Sequence, residues 1–244
     1  KRHTLEMTPT ATASAAPVSR VDHLVVAAAS LEQGVQWCEA TLGITPGPGG
    51  EHPLMGTHNR LFSVASPRFP DAYFEIIAIQ SGASTTRPPG AKRWFDLDDG
   101  LLHDRLLSHG PQLVHFVANT PGAQAGIKSL AKLGLDRGEL LQASRPTPQG
   151  QLSWKITVRR DGQRLFYGGL PTLIEWGSVH PTANMPASGV TLQSLHACHA
   201  RPDALKAAHE AIGLVNVEVL QGRPNLVAVL QTPLGLVTLE SGGH

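Results

Sequence analysis

An apolar strand with a histidine inside it, VDHLVVAA at 21–28, begins a pattern that occurs three times along this chain. A repeat of that size fixes more of the fold than any single residue, because one copy cannot bury its own sheet face and must pack on another. In the first copy the strand carries His23. A helix follows, with Leu31, Val35, Cys38 and Leu42 on one face and Gly43 at its end, then the strands RLFSVAS and AYFEIIAI, the latter with Glu75 inside an apolar run. The second copy has QLVHFVAN with His115 and a helix built on Ala123, Ile127 and Leu130. The strands LSWKITVRR, QRLFYGG and PTLIEWG then follow, with Glu175 in the last. The third runs from LQSLHACHA, with His196, through a helix on Leu205, Ala208 and Ile212 to NVEVLQ, NLVAVLQT and GLVTLES, where Glu240 is the lone charge. Each copy reads β-α-β-β-β, with His in its first strand and Glu in its last.

The expected fold class is therefore α+β: two paired βαβββ modules plus a third copy. The boundaries are a flexible tail at 1–20, the paired modules at 21–181 and the third module at 190–241, with 80–111 linking the pair across its cavity. If the first and last strands of a module lie side by side, a mid-strand His and Glu from each of two copies share one concave face. Two imidazoles and two carboxylates then meet in one cavity. Charge inside a strand is tolerated only when it is paired, hydrogen-bonded or neutralised, so Glu75 and Glu175 call for partners. The alternative is a His/Glu hydrogen-bond network lining a metal-free pocket. His115 is the weakest of the four, because a one-residue slip in register would turn it toward the helices.

These residues carry a family resemblance. DHLVVAAASLEQGVQW, GTHNRLF, YFEIIAI, KRWFDLD and LIEWGSVHP, in that order and spacing, resemble the vicinal oxygen chelate superfamily. Within it they are similar to bacterial glyoxalase-like domain proteins, well over 21–181 and more loosely beyond. The resemblance implies a divalent metal held by His23, Glu75, His115 and Glu175. Nitrogen and oxygen ligands without sulfur suit Zn, Ni, Mn, Co or Fe. Such an ion polarises a carbonyl or enediolate while a carboxylate, Glu75 or Glu175, takes the α-proton. The expected activity is that of a lyase or isomerase on a small carbonyl- or diol-containing molecule. The alternative from another class is a metal-free, drug-sequestering binding protein of the bleomycin-resistance kind. An extradiol dioxygenase ranks third, since oxygen-activating Fe(II) sites use two His and one carboxylate.

His58, Asn59 and Arg60, after a glycine-rich loop, are candidate substrate contacts, and Trp94 and Trp176 candidate cavity walls. His180 in SVHPT resembles a family motif and equally suits a loop cap. His196 and Glu240 lack a fourth copy to complete a site. His52, His103, His109, His199 and His209 are expected at the surface.

With 20 Lys and Arg against 19 Asp and Glu, and aromatics at 5%, the chain has no electrostatic footprint for nucleic acid or a membrane surface. No stretch reaches the roughly 18 apolar residues of a membrane span. Cys38 and Cys198, isolated in apolar contexts, read as reduced thiols of a cytoplasmic protein. Met7 reads as the native start, with residues 1–6 an expression leftover. The partner is a small molecule. A homodimer is expected through the apolar sheet face of the third copy, which must be covered.

Overall fold

The computed structural model describes residues 18–244; the rest of the expected tail, with Met7, lies outside them. The first module is β1 (Arg20–Ala27), α1 (Leu31–Leu42), β2 (Glu51–His52), β3 (Thr57–Ser63) and β4 (Tyr73–Ile79). Helix α2 (Gly100–His109) follows in the connecting segment. The second module is β5 (Gln112–Asn119), α3 (Ala123–Ala131), β6 (Glu139–Thr147), β7 (Gly150–Val158) and β8 (Thr172–Trp176). The third unit is β9 (Thr191–His199), α4 (Pro202–Ala211), β10 (Glu218–Gln221), β11 (Asn225–Thr232) and β12 (Gly235–Glu240).

The first two modules share one eight-stranded sheet in the order β2-β3-β4-β1-β5-β8-β7-β6. Their symmetry is visible in the register of the central pair. His23 stands opposite Val117 and Val25 opposite His115, so exchanging the modules exchanges the two pairs and puts the histidines at equivalent positions. Both strands bulge next to the histidine, at Asp22 and at Val114. The helices obey the same equivalence. Gly34 lets α1 close onto Ile76, and Gly126 lets α3 close onto Leu173; a Cβ at either glycine would collide with that side chain.

Two cores result. The helix side of the sheet holds Leu24, Phe74, Phe116 and Leu173. The concave side holds Val25, Ile77, Val117, Ile156 and Ile174, and the connecting segment caps it with Trp94, Phe95, Leu97, Leu102 and Leu106.

Several sequence expectations change here. The strand read at QRLFYGG is absent, because Phe166 and Tyr167 adopt left-handed φ values of 52° and 53° that end any extended run. The strand in its place is β6, whose polar sequence and Pro146 give a weak strand pattern; as the sheet edge it tolerates both. The third unit repeats the order of elements but not their pairing. Its sheet runs β10-β9-β11-β12, which places β11 between His196 and Glu240.

The third unit also does not offer its apolar face to a second molecule. Leu192, Leu195, Leu205, Ile212, Leu226 and Leu230 join the helix-side core of the first two modules. The seam is sealed by hydrogen bonds from Leu192 N to Val64 O (2.8 Å) and from Ser19 N to Gly213 O (2.9 Å). The argument for a homodimer through this face falls, since the chain covers the face itself. Among the described residues no helix is long and apolar enough to cross a membrane.

Candidate functional site

Strands β3, β4 and β1 lie side by side, so alternate residues of each point into the concave side. Three of these, Asn59, Glu75 and His23, converge. His23 Nε2 lies 3.2 Å from Glu75 Oε2, and Asn59 Nδ2 donates to Glu75 Oε1 at 2.8 Å. The bulge at Asp22 turns that carboxylate back onto its neighbour, with Oδ2 2.7 Å from His23 Nδ1. The other Asp22 oxygen accepts from His180 Nε2 (2.7 Å), Trp176 Nε1 (3.0 Å) and Asn119 Nδ2 (3.3 Å). The Thr182 amide donates to His180 Nδ1, which leaves the proton on Nε2 for Asp22.

His23 is therefore an imidazole between two carboxylates, all three buried. Burial opposes its charge, but hydrogen bonds and attraction from Asp22 and Glu75 outweigh it and raise the pKa to about 9. Burial likewise opposes ionisation of Asp22, yet hydrogen bonds from His180 and His23 bring it down to about 2. Glu75 is lowered against burial by His23 and by the Asn59 amide. At neutral pH the trio is carboxylate, imidazolium, carboxylate, with one net negative charge. His52, expected at the surface, is instead half-buried beside it. Burial takes its pKa to about 4, so it is neutral, and its Nε2 accepts from Asn59. His199 and His209 are also buried rather than exposed, the latter bonded to Gly169 O.

His23 and Glu75, with Asp22 behind His23, end a small inner chamber of about 40 Å³ walled by Tyr73, Trp94, Phe95, Trp154 and Trp176. Tyr73 stacks on the His23 ring at 4.5 Å between centroids. A second cavity of about 410 Å³, between β3, the β6-β7 hairpin and residues 179–188, shares Leu61, Arg145, Leu152 and Pro181 with the first.

The expected metal ligands do not assemble. His115, though equivalent to His23, has both ring nitrogens committed: Nδ1 donates to Gly168 O (3.0 Å) and Nε2 accepts from the Thr172 amide (3.1 Å). Burial, then repulsion from Arg137 and Arg164, pushes its pKa well below the ordinary value. The register makes Thr172, not Glu175, the counterpart of Glu75: Glu75 pairs with Val25, and Thr172 with Val117. Glu175 lies three residues further, an odd step that turns it to the opposite face of β8 from Thr172, Ile174 and Trp176, across from Lys155. A divalent ion would find two side-chain donors here, His23 and Glu75, already bonded to each other. Among the described residues no group of three or more His, Cys, Asp or Glu is placed to hold a metal ion. The residues present do not fit the four-ligand centre that the family resemblance implies.

Of the candidate substrate contacts, Asn59, Trp94 and Trp176 line the inner chamber. His58 faces the other way, as alternation from Asn59 requires. The sequence reading missed Asp22, His52 and Arg145. A carboxylate beside His23 was the one available signal for Asp22, and the bulge that gives it meaning is a property of strand pairing.

The sequence matches the glyoxalase-like domain family over residues 21–213. No curated protein is similar enough in sequence to count as a match. Among solved structures, a hypothetical protein from Staphylococcus aureus is similar with a TM-score of 0.57 at 12% identity, over 85% of this chain and 88% of that one. A Streptomyces coelicolor methylmalonyl-CoA epimerase variant in complex with 2-nitronate-propionyl-CoA matches with a TM-score of 0.40 at 17% identity, over 67% of this chain and 98% of that one. Methylmalonyl-CoA epimerase from Mycobacterium tuberculosis matches with a TM-score of 0.37 at 15% identity, over 70% and 95%.

Proposed function

We propose that this chain, which belongs to the glyoxalase-like domain family, is an isomerase- or lyase-type enzyme that moves a proton on the carbon beside a carbonyl of a small molecule. The observation that carries the reading is the buried Asp22–His23–Glu75 trio at the end of an aromatic-walled chamber. Packing alone would be served as well by apolar residues, because a buried ion cluster repays little of its desolvation. Such clusters in clefts mark chemistry.

Glu75 is the base. Its carboxylate takes the proton, and the electron pair of the C–H bond moves into the carbonyl to give an enolate. Returning the proton to the same or a neighbouring carbon completes an isomerisation; expelling a leaving group from the next carbon completes an elimination. A carboxylate held below its usual range is a weak base, so the enolate needs stabilising. The His23 imidazolium supplies positive charge in a medium of low dielectric. The Trp94 indole N–H, buried without an acceptor among the described residues, is a donor available to the enolate oxygen. Asp22, held by His180, Trp176 and Asn119, keeps His23 charged and oriented. No step is routed through a metal, because His115 and Glu175 do not join the set.

The test is hydrogen–deuterium exchange next to the carbonyl of simple 2-oxo compounds in D2O, read by NMR, with metal content measured alongside. Glu75→Gln is expected to lower catalysed exchange by about 10²–10⁴-fold, with no stoichiometric metal in the parent protein. Stoichiometric metal that disappears in the Gln variant would restore the metalloenzyme. Binding without exchange would favour the sequestering protein, a reading supported by the three tryptophans of the chamber.

A further inference from the structure

Among the described residues, Arg145 is the one cation that lines both cavities. Several other arginines are committed to the fold: Arg60 donates to Pro46 O and Gly47 O, Arg93 to Asp98, Arg137 to Leu170 O, and Arg164 to Asp96. Arg20, Arg68, Arg105, Arg201 and Arg223 make no such bond among the described residues either, but they line neither of these two cavities. The Arg145 guanidinium takes part in no ion pair or side-chain hydrogen bond found among the described residues. A charged fork at the junction of two partly enclosed cavities, without an internal acceptor, is placed for an acceptor that arrives from outside.

The loop opposite is cut to fit it. Gly50 packs so close to the Arg145 guanidinium that a Cβ there would overlap it. Gly50 N also donates to Asn59 Oδ1 at 2.9 Å, and Asn59 in turn holds Glu75. One loop therefore locates both the free cation and the carboxylate assigned as base. The charge of Arg145 reaches the chamber, where, behind the larger effect of burial, it disfavours protonation of His52 and favours ionisation of Tyr73.

We propose, resting on the proton-transfer reading of this site, that the substrate is a carbonyl compound bearing a carboxylate, and that Arg145 binds that carboxylate. The sizes agree. The inner chamber admits only a small reacting head, while the outer cavity is within the range of a small ligand body. One guanidinium matches one carboxylate in bidentate geometry. A phosphate would bring a second negative charge toward the net-negative trio, with no second arginine or lysine among the described residues lining either cavity to meet it.

The experiment uses the full chain with two probes, 2-oxobutanoate and 4-methyl-2-oxopentanoate, each beside its methyl ester. Binding is read by calorimetry, and exchange at carbon 3 by NMR in D2O. The acids are expected to bind at least 10-fold more tightly than their esters. Arg145→Gln should erase that preference by weakening the acids about 10- to 100-fold, and Arg145→Lys should keep part of it. Gly50→Ala, which displaces the guanidinium without removing it, should also weaken the acids, with its melting curve read as a check on folding. Equal affinity for acid and ester, including binding of neither, or a preference untouched in Arg145→Gln, overturns the inference. The two readings fail separately. An acid preference lost in Arg145→Gln without exchange in any protein upholds the subsite and removes the proton transfer. Exchange that needs Glu75 but treats acid and ester alike does the reverse.

Discussion

The two paired modules place a histidine at the same strand position and then treat it in opposite ways. In the first, His23 is charged, held between Asp22 and Glu75 and facing a chamber. In the second, His115 is neutral and sealed between Gly168 O and Thr172. Two exchanges account for the difference: Asp22 against Val114 in the bulge, and Glu75 against Thr172 on the last strand. The scaffold fixes where an imidazole sits; its neighbours decide whether it is a proton on a spring or a polar plug in the core. One module holds a charged trio beside a chamber while its twin holds a neutral imidazole sealed in the core.

Making the first module resemble the second is the harshest test. Asp22→Val removes the acceptor of His180, Trp176 and Asn119 along with one partner of His23. It is expected to cost about 3–5 kcal/mol by denaturant unfolding, the cost of stranding a buried charge. A loss below 1 kcal/mol would mean that the trio is not a charged unit.

The next effect is on pH. His23 is raised from 6.5 to about 9, so its contribution is complete below pH 6.5 and is lost as pH rises through 9, on the order of 3 kcal/mol. His115 is shifted the other way, and its contribution is present above pH 6.5 and lost on acidification as the unfolded chain takes up the proton. Asp22, lowered from 3.8 to about 2, adds to the acid loss below pH 3.8. Replacing His23 by Gln should flatten the alkaline limb of the stability curve and also lessen the acid loss due to Asp22 and Glu75, which His23 holds down; replacing His115 by Gln should flatten the upper part of the acid limb and leave the alkaline limb as it is. If the alkaline limb survives in His23→Gln, the two histidines do not differ in charge.

His115→Ala itself should cost about 1–3 kcal/mol, the penalty for leaving Gly168 O and the Thr172 amide without partners. It should leave catalysed exchange unchanged, apart from the smaller folded fraction. Last and smallest, Glu175→Gln, on the outer face of β8, should fall within about 0.5 kcal/mol of the parent and keep full exchange. A steep loss of exchange would return Glu175 to the site.

The repeat, the strand position of both histidines and the end of the first helix at Gly43 were legible because they depend on local pattern. Hydrophobic period marks the elements, and two copies with the same period mark their pairing. Glu175 was misplaced because an acidic residue in a late strand looks the same whether it lies at the Glu75 position or three residues past it. Only pairing with β5 supplies the zero of the count, and an odd error reverses the face. β6 was hidden by Pro146 and its polar sequence, and Arg145 was hidden with it.

What the sequence by itself determined, then, is the module: the order of most of its strands and helices, and that copies of such a unit must cover one another because none can bury its own sheet. Only the tertiary structure decided which carboxylates meet which imidazole, that the third unit turns its apolar face inward, and that Arg145 stands at the junction of two cavities with no partner among the described residues. Those outcomes depend on strand register, bulges and the packing of distant segments. Such terms are set by the sum of many weak contacts across the chain, and no local stretch of residues encodes them.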